Sequence, residues 1–554
     1  MKKYNYLLLL SAVAGTLSFA SCSEDHLDIP QKGVGTSVDE FYKTDEDALA
    51  ALAKVYVDTH KNFAFIPDVM NEYNFGPYMA LTNFQSDDFY FAGSGSGDCV
   101  QAREFHDFRY TPSLNIVAGA YSMLYRSIHK CNLITNFVEG DTPTKKRCIA
   151  EARAMRAFDH LLLAIYWGKP ILLQEVLDAD AQPVNDKSQK EVLEWVVSEI
   201  DAVIDDLDER KSPGDAEGSY KITKGFAWAV QGKAYLWLGE YAQAKTALKK
   251  VISSGKYELL PGDQISKIMH ADGRGSSESV FEFNYVWVEG TTSDWSSRSY
   301  RTNCNGHMTF NWRWENFYSN VDERFYHTGW GWINPTAKFC EDLIANDGMD
   351  SYRRKAWIIT WDELINDSKW EKESEKGLMP KKVCEGLEGY LNWKTVMHPL
   401  QGDLNGNNDG QVRNFPIMRY AEVLLMYAEA CAQLGETSGD GLAALNEIQK
   451  RAGSQTISST LSLNAVKKEK QFELWMEGCR SADLKRWGDV ASLKTADFVV
   501  PSWTDHGLDM SNADYYKKTY GATLGYKDGK DEFLPFPQKA IDLNKGLIQN
   551  PGWE

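Results

Sequence analysis

The chain reads as a mainly α-helical protein, a superhelical scaffold of tetratricopeptide-like helix pairs with a loop-rich region of short strands. Three observations predict this. Apolar residues recur at helical spacing through most of the sequence outside residues 258–415. Residues 226–257 hold a helix–turn–helix unit around Leu238–Gly239–Glu240–Tyr241–Ala242–Gln243–Ala244, with small residues at Ala234 and Ala244 for close helix approach. Residues 258–415 replace the helical period with aromatics among Gly, Asn and Asp, and with the strand-like alternation Val280–Phe281–Glu282–Phe283–Asn284–Tyr285.

The first element is a targeting segment. Lys2, Lys3 and the run Leu7–Leu10 lead through small residues to Cys22, which describes a signal peptide over 1–21 and a mature chain that starts at a cysteine. A cysteine there accepts a diacylglyceryl group in bacterial lipoproteins, so Cys22 is the expected lipidation site. Residues 22–38, with Pro30, Gly33 and Gly35, read as a lipidated tether. Beyond Cys22 no apolar run reaches the roughly 20 residues of a membrane span.

Residues 39–257 form an N-terminal helical scaffold. A helix is predicted over Val38–His60, with Ala48, Leu52 and Val55 on one face. Residues 62–112 interrupt it with twelve Phe and Tyr rings among Gly, Pro and Asn, which is loop composition rich in aromatics. Two helical stripes follow, Tyr121–Leu133 and Ala152–Ile165, the second stopped by Gly168 and Pro170. A third helix spans about Lys190 to Leu207, and the pair Ala227–Leu238 and Tyr241–Ser253 is the clearest repeat unit. Residues 258–415 are the expected ligand-binding region. Residues 416–554 return to helix, with a weaker repeat echo at Leu434–Gly435.

Bulk numbers narrow the function. A net charge of −18 argues against nucleic acid and anionic lipid surfaces, which select Lys and Arg. Eighteen tryptophans in an exported chain suggest flat apolar binding surfaces. Eight cysteines after Cys22 form no CxxC pair or zinc-like cluster and read mostly as buried free thiols, with one or two disulfides as the alternative.

Four segments resemble the SusD/RagB family of Bacteroidetes outer-membrane nutrient-binding lipoproteins. They are FPIMRYAEVLLMYAEACAQLG at 415–435, AALNEIQKRAG at 443–453, EKQFELWMEGCRSADLKRWG at 469–488 and LPFPQKAIDLNKGLIQNPGW near the C-terminus. Upstream, EARAMRAFDHLLLAIYWGKPIL at 151–172 looks like the family's first long helix, and Ser23–Glu24–Asp25 resembles the export signal to the outer face of the outer membrane. The resemblance implies a SusD-like fold that acts as a lid on a TonB-dependent (SusC-like) β-barrel transporter and grips a glycan with its variable loops. The motifs themselves read as scaffold: Val423, Leu424, Tyr427 and Cys431 make an apolar stripe, and Glu473, Glu477, Arg480 and Arg486 stand at near-helical spacing for pairing.

Sugars stack axial C–H faces on aromatic rings and direct hydroxyls at carboxylates and amides. Two clusters have that chemistry. Asn83, Asp87, Asp88, Phe89 and Tyr90 place acids beside rings. Trp330 and Trp332, flanked by Gly329 and Gly331, precede a helix start at Asn334–Pro335–Thr336, where the resemblance places a glycan-lining aromatic. Trp287, Trp295 and Tyr300 are further candidates. The expectation is an exposed platform in which Trp330 and Trp332 are joined by Tyr90 and Asp88 across one face.

Asp403, Asn405, Asn407 and Asp409 partly imitate a calcium loop, but it lacks the Gly at its sixth place and has Asn414 where a Glu ligates. A polar turn is the reading, with no cofactor required and calcium as the alternative. No HExxH, GxSxG or phosphate-binding loop stands in its required context, and 78 acids single out no catalytic couple. The function expected is glycan capture without catalysis. A peptide-binding lid of the RagB kind and a ligand-free assembly scaffold are the alternatives.

Overall fold

A computed structural model describes residues 41–64, 76–91, 100–284, 332–360, 362–363, 389–395, 414–494 and 525–554. Helix α1 spans Asp45–Ala64. It starts later than the apolar period suggests because Thr44 and Asp47 cap it reciprocally: Thr44 N donates to Asp47 Oδ2 at 2.9 Å, and Asp47 N to Thr44 Oγ1 at 3.1 Å. Three acids in its first turn favour the same start.

The described parts of 62–112 hold more regular structure than their composition predicts. It contains α2 (Pro77–Asn83), strand β1 (Phe89–Phe91) and α3 (Val100–His106). Its described rings are core. Phe84 and Phe91 meet edge-on at 4.9 Å, Phe89 and Phe91 at 5.5 Å, and all three are buried. Loop-type composition here reflects short elements wrapped around an aromatic plug.

The long helices follow the predicted stripes. They are α4 (Asn115–Phe137), α5 (Pro143–Trp167), α6 (Gln189–Val203), α7 (Lys224–Leu238) and α8 (Tyr241–Ser253). Helix α5 begins on Thr142, whose hydroxyl accepts from Lys145 N, and α6 begins on a Ser188/Glu191 capping box. Gly239 turns α7 into α8 at φ +74°, a conformation that favours glycine. Ala234 and Ala244 are fully buried as expected, yet the closest approach is at Gly232, where a Cβ would lie 2.6 Å from Leu248.

Beyond α8 the chain runs through β2 (Ser279–Phe283), β3 (Ile333–Pro335), α9 (Ala337–Asp347), α10 (Tyr352–Trp357), β4 (Ile358–Thr360), β5 (Tyr390–Asn392) and β6 (Phe415–Arg419). It ends in α11 (Tyr420–Gln433), α12 (Asp440–Ala452), α13 (Leu463–Glu473), α14 (Arg480–Trp487) and the short α15 (Gln538–Leu543). Antiparallel pairing of β2 with β6 brings the chain back to the scaffold. Helix α11 then packs on α8 as well as on α12, so the stack α4–α5–α6–α7–α8–α11–α12 is continuous in space although about 165 residues separate α8 from α11 in sequence. Gly441 lets α12 approach α11 closely, since a Cβ there would lie 2.5 Å from the Cys431 Cβ. Cys131, Cys148, Cys431 and Cys479 are buried free thiols, and Cys340 is buried.

A buried ion network joins the strands to the C-terminal helices. Arg353 makes a two-pronged pair with Asp347 at 2.8 and 2.9 Å and also bonds Glu469 and Glu473. Arg451 bridges Glu278, at 2.9 Å, and Glu473. Arg419 bonds Glu278, Glu473 at 3.1 Å and Glu477 at 2.6 Å. Lys394 pairs with Glu477 while its ammonium sits 4.0 Å from the Trp357 ring centre. The helical pairing expected among Glu473, Glu477, Arg480 and Arg486 is therefore corrected. Helix α13 ends at Glu473, and the turn that follows holds Met476 and Gly478 at positive φ, so these residues share no helix face. Arg480 instead pairs with Asp87, and Arg486 with Glu429 and Asp483.

Burial alone would raise the Glu473 carboxyl, but Arg451, Arg419, Arg353 and Lys394 outweigh it and hold the group down to about 2. Its folded pKa lies below the unfolded value, so its contribution is present above about pH 4.5 and is lost as pH falls toward 2. Glu473→Gln should cost about 3–5 kcal/mol at neutral pH, because three guanidinium groups lose a shared buried partner. Denaturant melts from pH 7 to pH 3 should show the gap between variant and wild type narrowing with acid.

Candidate ligand-binding site

The two sequence clusters meet as backbone. Strand β1 pairs antiparallel with β3 in the register Phe89↔Pro335, Tyr90↔Asn334, Phe91↔Ile333. The Thr336 amide, at the N-cap of α9, extends the ladder by donating to the Asp88 carbonyl at 3.1 Å. Strand β3 also lies against β5.

The three two-stranded ribbons among the described residues share one design. Phe91, the last residue before 92–99, lies beside Ile333, the first strand residue after 285–331. Phe283 lies beside Phe415, which brackets 285–331 and 396–413, and Thr360 lies beside Tyr390, which brackets 364–388. The described ribbons thus hold one or both ends of each of these segments. Trp287, Trp295, Tyr300 and Trp330, and the calcium-loop residues Asp403, Asn405, Asn407 and Asp409, fall in these segments and lie outside the described residues, as does Cys22.

Side chains correct the exposed-platform expectation. Tyr90 is 2% exposed, Phe89 2% and Trp332 7%, and all three belong to the core. Gly331 leaves one side of Trp332 without local cover, yet the ring is buried where the chain enters β3. Phe89 packs against Phe84, Phe91 and His106.

The polar members of the first cluster are bound to the scaffold. Asn83 Oδ1 accepts from Gly478 N at 2.8 Å, and a Cβ on Gly478 would press on Thr82 at 2.9 Å. Asp87 takes both prongs of Arg480 at 2.7 Å. Burial opposes ionisation of Asp87, but the Arg480 guanidinium prevails and holds the carboxyl below its usual range. Asp88 is fully internal; Ser86 Oγ donates to its Oδ1 at 2.5 Å, and Oδ2 has no hydrogen-bond partner. Burial, reinforced by the charge on Asp87, pushes Asp88 up to about 7. The two acids do point apart, one into a salt bridge and one into the protein. The partnership of Arg480 with Asp87 had no signal in the sequence, because 393 residues separate them.

A model of the SusD family matches residues 277–553, half of the chain. The chain belongs to the SusD family. A SusD-like protein of Bacteroides ovatus is 24% identical over 605 aligned positions, covering 98% of this chain and 97% of the relative. Among solved structures, a laminarin-binding SusD-like protein superposes with a TM-score of 0.70 at 23% identity, over 92% of this chain and 100% of that one. Surface glycan-binding protein A from Bacteroides thetaiotaomicron, solved with laminarihexaose, superposes with a TM-score of 0.69 at 20% identity, over 91% and 99%. At these identities the superpositions establish a shared fold.

With its ring in the core, Trp332→Ala should lower stability by about 3–5 kcal/mol. A thermal melt checks this, and a variant melting within a degree or two of wild type would show that the ring is not core.

Proposed function

We propose that this chain captures an oligosaccharide or polysaccharide at the cell surface and delivers it to a TonB-dependent outer-membrane transporter, by binding without catalysis. One observation carries the reading: over nine-tenths of its length the chain shares its fold with a laminarin-binding protein and with a glycan-binding protein solved with laminarihexaose. The sequence supports the same reading, because the tryptophan-rich segment 285–331 runs between the ends of two core ribbons. Trp330, Trp287, Trp295 and Tyr300 are the proposed stacking residues. Calcium enters the proposal only as an ion that Asp403, Asn405, Asn407 and Asp409 would hold if the loop binds one.

Anchorage through a lipid on Cys22 completes the proposal. Among the described residues no helix is long and apolar enough to cross a membrane. The stretch from Cys22 to Phe41 reaches roughly 60 Å when extended, ample for a body seated on a barrel. Its far end is held firmly: Tyr42 stacks on Phe137, and Lys145 Nζ donates to the Lys43 carbonyl at 2.6 Å.

Calorimetry against laminarin, starch and a set of other glycans, beside a peptide library, tests the reading. Trp330→Ala should weaken binding of the cognate glycan about tenfold, the loss of an aromatic contact worth 1–3 kcal/mol, with an unchanged melt. Binding to peptides alone would replace glycan with peptide as the cargo. Unchanged affinity in Trp330→Ala would remove that ring from the site.

Cys22→Ala should release the protein from the outer-membrane fraction in the absence of the transporter. Continued membrane partitioning of that variant would refute lipid anchorage.

A further inference from the structure

Asp88 is set where charge is hard to accommodate. It is 2% exposed, takes one hydrogen bond from Ser86, and leaves Oδ2 without a partner. The cation nearest to it is already engaged, since Arg480 gives both prongs to Asp87. Few other charges face the site. Asp483 acts on Arg480 from the same helix, and on the α3 side His106 meets the Phe89 carbonyl at 3.1 Å while pairing with Asp107 at 2.8 Å. The facing residues of β3 and the α9 cap, Asn334 and Thr336, carry no charge. The backbone of Asp88 meanwhile makes the first rung of the β1–β3 ladder through Thr336 N.

We infer that Asp88 is a proton-linked latch: with its proton it seats the β1–β3 ribbon beside the Asp87–Arg480 pair, and without it the buried charge loosens that ribbon. The lone unbonded oxygen gives the mechanism. A neutral carboxyl is held by Ser86 with little penalty, whereas a carboxylate leaves a full charge half-solvated by protein. It can be relieved only by drawing Arg480 from Asp87 or by admitting water under the first rung. The sign follows from burial. Because the folded group holds its proton more tightly than the unfolded one, its stabilising effect is complete in acid and is lost as pH rises through about 7. Residues 92–99 and 285–331 continue from the paired ends of this ribbon, so the latch would tune ligand capture near neutral pH; that last step rests on the glycan reading above.

Amide hydrogen exchange on the full chain from pH 5.5 to 8.5, corrected for intrinsic rates, tests the latch directly. Protection at Phe89–Phe91 and Ile333–Thr336 should fall about tenfold between pH 6 and pH 8, the change that one unit of proton linkage produces. Asp88→Asn should remain protected throughout. Ser86→Ala, which removes the donor to Asp88, should move the midpoint upward and serves as the second variant if Asp88→Asn folds poorly. Identical profiles in wild type and Asp88→Asn, or an unmoved midpoint in Ser86→Ala, would overturn the proposal. Laminarihexaose titrations at pH 6 and pH 8 separate the two readings. Binding that weakens with pH in wild type but not in Asp88→Asn supports both. Absence of laminarihexaose binding at either pH counts against this glycan as cargo and leaves the exchange result to judge the latch.

Discussion

Glu473 lies where three guanidinium groups converge, and much of the fold is arranged to keep that one carboxylate ionised and dry. An isolated buried charge would cost far more than any single contact in the protein can offset. Here it is matched by Arg353 from α10, Arg419 from β6 and Arg451 from α12, with Glu278 just ahead of β2 and Asp347 on α9 closing the circuit. Each partner comes from a different element. No subset of these elements satisfies the charges, so partial assembly leaves buried ions unpaired. The network thereby favours the complete arrangement over its fragments, and it does so at the join between the helical stack and the ribbon-bearing region.

The turn after α13 extends that rigidity toward the candidate site. Glu477 belongs to the ion network, Gly478 bonds Asn83, and Arg480 grips Asp87 four residues further into the same segment. A tight turn with two positive-φ positions can present successive residues in these divergent directions, which a continuing helix cannot. One short stretch of the C-terminal motif thus fixes the approach to β1, and β1 in turn fixes β3. The ribbons are short, and two strands alone are marginal in water, so their stability is borrowed from the network and from the aromatic plug of Phe84, Phe89 and Phe91.

The candidate residues show where local pattern and burial part company. Tyr90 and Trp332 are expected on one exposed face, and both are buried, Tyr90 opposite Asn334 in the ribbon that Trp332 leads into. Glycine flanks say that a ring has no local cover. They say nothing about cover that arrives from elsewhere in the chain. The acids show the same blindness: Asp87 and Asp88 look equivalent in sequence, yet Arg480 keeps one ionised while burial pushes the other toward neutrality. Their difference is decided wholly by what packs against them.

By itself the sequence determined the long helices of the scaffold, because amphipathic period, caps and glycine stops act within a few residues: the pair read as Ala227–Leu238 and Tyr241–Ser253, turned at Gly239, differs from the structure only by a first helix that starts three residues earlier, at Lys224. It also carried the family, through motifs whose apolar stripes and charges are needed by the scaffold. Only the tertiary structure decided which charges pair, which rings are dry and that α11 continues the stack begun by α8. Those outcomes depend on solvent exclusion and on charge partners hundreds of residues apart, and neither leaves a local pattern in the chain.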